Sequence, residues 1–60
     1  MASGDIVEIT RPARGFEAGV QGTVVSMDER MDTVTLAIDC EGQPPLLLHF
    51  DPHVLRRLSA

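Results

Sequence analysis

Lysine is absent. The basic residues are five arginines, Arg11, Arg14, Arg30, Arg56 and Arg57, set against nine acidic residues for a formal net charge of -4. A chain with this balance repels phosphate backbones, so RNA or a ribosome is a disfavoured partner and would need a local arginine patch working against the global field. Cysteine occurs once, as Cys40. That excludes an internal disulfide framework and points to a reducing compartment. No apolar run approaches the roughly 18 residues of a bilayer span. No charged leader with an apolar core is seen either, so the chain reads as cytoplasmic, with no membrane partner. Linkers, repeats and low-complexity segments are missing, which leaves one domain, residues 5–58, behind a short frayed start at residues 1–4. A chain of 60 residues buries only about 60% of the surface its unfolded form exposes. No core is left over for an enclosed active-site cavity, so a free-standing enzyme is not expected and no cofactor is implied.

What is present is glycine-punctuated and β-branched. The stretch from Gly15 to Val25 places Gly15, Gly19 and Gly22 ahead of Thr23-Val24-Val25. Glycine tolerates positive φ and close backbone approach, so this pattern describes a looping turn delivered into a strand. Period-two alternation recurs along the chain and helical periodicity never lasts beyond a turn. The first strand, Ile6 to Thr10, turns Val7 and Ile9 inward. Pro12 then breaks the ladder. A second strand covers about Gly22 to Met27, and Asp28-Glu29-Arg30-Met31-Asp32 forms a polar hairpin loop. The third, Thr33 to Cys40, has the cleanest alternation: Val34, Leu36, Ile38 and Cys40 on one face, Thr33, Thr35, Ala37 and Asp39 on the other.

Glu41-Gly42-Gln43-Pro44-Pro45 is the next turn, and its prolines hold off continued pairing until Leu46. In the fourth strand, Leu46, Leu48 and Phe50 share a face opposite Leu47 and His49. Asp51-Pro52-His53 reads as a single helical turn, with the aspartate as cap and proline at the first position. Val54 to Leu58 supplies the last strand. The expected architecture is all-β: a five-stranded SH3-like barrel with one short helical turn before the last strand, closure removing most free edges.

Gly4-Asp5-x-Val7-x-Ile9, the loop holding Gly15-Phe16, the Gly22-x-Val24 pair, and Glu41-Gly42-Gln43 ahead of an apolar strand together resemble the KOW-type SH3-like domain of transcription elongation factors and ribosomal proteins. The resemblance spans about Gly4 to Leu58 and is shared in part by small stand-alone bacterial SH3-like proteins. It departs from the KOW pattern in its acidic balance and in Arg14-Gly15-Phe16 standing where a glycine-proline-phenylalanine turn is usual. It implies a binding role in transcription or translation.

Candidate chemistry is sparse. His49 and His53 lie four apart, but Pro52 intervenes and third and fourth ligands are missing, so they read as a surface histidine and a turn histidine rather than a metal site. Asp39 and Glu41 flank Cys40 and disfavour the thiolate, which makes it a poor nucleophile. Arg11, Arg14, Arg56 and Arg57 would recognise phosphate or carboxylate by forked hydrogen bonds if the fold brought them together; scattered, they are solubilising charge. Ile6, Val25, Met27 and Leu47 fall out of phase with the inward sets and are candidates for an exposed apolar face, with Phe16 as a further anchor at the glycine loop. A small, strongly bent barrel would instead draw some of them into its core. The sequence therefore points to a non-enzymatic module that docks a protein, or a second copy of itself, through Arg11, Arg14, Phe16, Met27, Leu47, Arg56 and Arg57. The alternative is a small accessory subunit that stabilises or regulates a larger enzyme complex.

Overall fold

The computed structural model describes residues 1–58. Five antiparallel strands form one sheet: β1 (Ile6–Ile9), β2 (Gln21–Asp28), β3 (Thr33–Cys40), β4 (Gln43–Phe50) and β5 (Leu55–Arg57), with a 3-10 turn at Pro52–Val54 before β5. Their order across the sheet is β4-β3-β2-β1-β5. The all-β class, the strand count and the turn before the last strand are as the sequence implies. Closure is not: the ladder stops at β4 on one side and β5 on the other. Two features of the chain account for this. β5 contributes only three residues, all of them paired to β1. The outer strand β4 carries Pro44 and Pro45 directly after its first residue, Gln43, and they have no amide to donate to a further strand.

Alternation decides which side chains are buried. Val34, Leu36 and Ile38 of β3 join Val7 and Ile9 of β1, Val24 of β2, Phe50 of β4 and Leu55 of β5 in the core. Ala13, Phe16, Val20, Leu48 and Val54 pack around its margin. On β4, Phe50, Leu48 and Leu46 stand opposite Val34, Leu36 and Ile38, yet Phe50 is buried, Leu48 half-buried and Leu46 exposed. Burial thus fades toward the end of β4 that starts from the prolines. There Cys40 pairs with Gln43 across an irregularity, and regular pairing resumes at Leu46.

A bulge in β2 overturns the expected facing of Met27. Val24 pairs with Leu36 and Ser26 with Thr35, so two steps on β2 match one on β3 and Val25 is the extra residue. Beyond it the parity of β2 inverts. Met27 stands opposite the buried Val34 and belongs to the core face, at its open end, whereas Ser26 and Asp28 turn outward beside Thr35 and Thr33.

Residues 1–4 run beside β2. The Gly4 amide donates to the Val24 carbonyl (2.8 Å), and the Ser3 hydroxyl donates to the Val25 carbonyl (3.3 Å).

Gly22 stands opposite Val7 and is buried against β3. A Cβ there would sit 3.2 Å from the Ala37 carbonyl oxygen and 3.2 Å from Cγ1 of Ile38. Removing glycine's unfolded-state freedom normally stabilises by about 0.4–1 kcal/mol. Here the backbone oxygen has to move, and overpacking of this kind costs about 1–3 kcal/mol. Gly22→Ala is therefore expected to lower the melting temperature by roughly 4–8 °C per kcal/mol lost, as read by thermal denaturation.

Candidate functional site

The face opposite the core carries a row of side chains that crosses the whole sheet. Ile6 pairs with Thr23, Thr23 with Ala37 and Ala37 with Leu47. On the far side, the Leu58 amide donates to the Ile6 carbonyl at 2.8 Å, one step beyond the Val7–Arg57 pair, so Leu58 extends the row. Leu47 is 62% and Leu58 42% exposed, while Ile6, Thr23 and Ala37 are half-buried by one another's bulk. Directly opposed residues share a face and touch, so these five form a contiguous stripe, apolar except for the Thr23 hydroxyl. A shallow depression of about 160 Å³ lies along it, lined by Ile6, Thr23, Ala37, Gln21 and Asp39.

Polar rows bound the stripe on either side. Glu8 stands between Gln21 and Arg56 in the ladder, and its carboxylate forms an ion pair with the Arg56 guanidinium. On the other side are Ser26, Thr35 and His49. Thr35 Oγ1 and His49 Nδ1 share a hydrogen bond of 2.8 Å.

The sequence-derived binding residues separate into groups. Leu47 lies on the stripe and Arg56 borders it. Met27 lies on the other face. Phe16 packs against the core margin, half-buried, rather than standing free at a loop tip. Arg57 lies 4.0 Å from the Asp5 carboxylate, so both arginines of β5 are balanced by acids at or beside β1. Such exposed pairs contribute only about 0–1 kcal/mol, but they remove two of the four guanidiniums from any anion-binding cluster. The loop between β1 and β2 places Arg11 near Asp51 and Arg14 in a tight turn. Alternation shows Leu47 and Ala37 in the sequence; the parts played by Thr23 and Leu58 depend on cross-strand register, which no local pattern records.

The histidines are held separately. Asp51 Oδ1 accepts from the His53 backbone amide (2.8 Å) and from the His53 ring Nδ1 (2.9 Å). The backbone bond, then the ring bond, hold the Asp51 carboxyl below its ordinary pKa, with smaller help from the charges of His53 and Arg11 and against partial desolvation. Among the described residues no three of His, Cys, Asp and Glu are grouped so as to hold a metal ion. Among the described residues no helix is long and apolar enough to cross a membrane. Neither the known family models, nor the curated proteins, nor the solved structures contain a match to this chain.

Arg14 has φ 54° and Gly15 φ 85°, and Ala13 and Phe16 exchange backbone hydrogen bonds of 3.0 and 2.9 Å across them. Positive φ at both central residues of a two-residue turn favours Asn-Gly, and a long side chain in the left-handed region costs roughly 1–2 kcal/mol. Arg14→Asn should therefore stabilise the fold by about 1 kcal/mol in urea unfolding. A loss of stability would mean that the guanidinium makes a contact that outweighs the strain.

Because the folded-state pKa of Asp51 is depressed, its contribution is fully present above the unfolded-state value and is lost as the pH falls through the folded one. Asp51→Ala should be less stable than the parent at neutral pH. The two unfolding midpoints should converge in an acid series, and a gap that stays constant with pH would rule out the charge as its cause.

Proposed function

We propose that the chain is a non-enzymatic binding module whose partner is a protein packed on the outer face of the sheet. The observation that carries this is the Leu58–Ile6–Thr23–Ala37–Leu47 stripe. Soluble chains rarely leave contiguous apolar groups uncovered unless something docks on them. The exposed Leu46 and Leu47 lie on the outer strand β4, so a partner can also add a strand to this edge. Pro44 and Pro45 restrict such pairing to the stretch from Leu46 onward.

The KOW-type SH3-like resemblance belongs to the same proposal. It rests on the sequence motifs, with which five antiparallel strands and a 3-10 turn before β5 are compatible, and it would place the module in transcription or translation. An RNA-binding role draws less support, since Arg56 and Arg57 are paired with Glu8 and Asp5. The accessory-subunit reading uses the same stripe with a permanent partner, and is favoured where the interface proves apolar and insensitive to salt.

The test is retention of a partner from native cell extract on the immobilised chain, with and without ribonuclease, at low and high salt. A discrete protein should be held in all conditions by the parent and lost by Leu47→Asp, whose charge lands at the β4 end of the stripe, on its most exposed residue. Bound RNA that salt releases steeply would overturn the reading. Sedimentation of parent and variant tells whether the occupant is a second copy, in which case only the parent self-associates.

A further inference from the structure

The three methionines of the chain gather at one end of the sheet, around the turn between β2 and β3. Met1, Met27 and Met31 are 43%, 47% and 71% exposed. Met1 and Met27 line a groove of about 720 Å³ together with Thr35 and His49. The same two line a recess of about 220 Å³ that reaches Val34 and Pro52 at the open end of the core. Met31 lines an adjoining recess of about 250 Å³, again beside His49. The bulge at Val25 turns Met27 to the core face just where β2 runs out, which sets it in the recess beside Val34. An unbranched thioether side chain adapts its torsions to whatever apolar group it meets, which suits it to a surface that accepts a range of partners.

The rim of this apolar lining is acidic. Asp28 and Glu29 border the groove, where Arg30 opposes them, and Asp32 borders the recess, so three carboxylates stand against one guanidinium. Asp28 is partly committed to the turn, accepting from the Arg30 and Met31 amides at 2.9 and 3.2 Å. Among the described residues neither Glu29 nor Asp32 takes part in an ion pair. Methionines rimmed by three carboxylates against one guanidinium leave a net negative surround, which complements one kind of ligand: an apolar anchor with cationic flanks. It repels acidic segments and nucleic acid.

We propose that the methionine-lined groove docks a short peptide segment of a partner protein, carrying one large aliphatic or aromatic anchor flanked by lysine or arginine. This rests on the reading of the chain as a binding module, but not on the outer stripe being where that module binds.

The full chain, labelled with carbon-13 at its methionine, isoleucine and leucine methyls, is titrated with two synthetic peptides of equal length. Both have a central Leu-Phe pair, flanked by lysines in one and by glutamates in the other. The lysine peptide should shift the Met27 and Met31 methyl signals saturably, and the glutamate peptide should leave them in place. Glu29 is exposed, and Glu29→Arg should weaken the lysine peptide roughly tenfold, about 1.4 kcal/mol. Met27→Gln, close in shape but polar, should weaken it without altering the charge. Methionine signals that stay fixed, or move equally with both peptides, overturn the proposal, as does unchanged affinity in Glu29→Arg. Shifts confined to the Ile6 and Leu47 methyls would also overturn it, while leaving the outer-stripe reading intact.

Discussion

One sheet that does not close can bury a single face, and the alternation of β3 is the constraint that settles which. Val34, Leu36 and Ile38 are buried and Thr33, Thr35 and Ala37 are not, and β3 pairs along its length with β2 on one side and β4 on the other. Shifting its register by one residue would exchange the two faces. Every other strand inherits its facing from this one through the ladder. Val24 and Phe50 are core residues because they stand opposite Leu36 and Val34, and Leu47 is a surface residue because it stands opposite Ala37. The apolar stripe is thus the reverse side of the core, set by the same register.

Much of this could be read from the chain before its structure. β3 runs over Thr33–Cys40, the bounds its alternation implies, because its two faces differ strongly in polarity. The 3-10 turn at Pro52–Val54 with Asp51 as its cap follows from the Asp-Pro pair, whose preferences are local. Other features were not legible, for a common reason: they depend on residues far apart in the chain. The bulge falls within Val24-Val25-Ser26, which carries no glycine or proline to mark it, and only the mismatch with β3 makes it. Without it Met27 would face outward, as period-two counting has it. The pairing of Arg56 with Glu8 needs β5 beside β1, a neighbour relation no spacing records.

The two candidate surfaces differ in physical character. The stripe is formed largely by strand residues whose backbones are held in the ladder, so it offers fixed shape and little charge. The methionine end is formed by a strand terminus and a turn, with adaptable side chains under a negative rim. Fixed shape favours one well-matched partner, and adaptable lining favours several partners related by charge. A small module carrying both would hold one protein durably while sampling another.

The junction of β5 with β1 has a kinetic consequence. β2, β3 and β4 are joined by short turns and can assemble from near neighbours, whereas β5 must return from the far end of the chain to meet Val7, Glu8 and Ile9, with hydrogen bonds from Leu58 to Ile6 and from Thr10 to Val54 at either end. Contacts of such long sequence separation are slow to form, because loop-closure entropy is spent before they give anything back. On these grounds the meander is expected to form before the last strand joins it. Opening of that strand would take the Leu58 end of the stripe with it, so a partner seated on all five strands would act as a clasp on this junction.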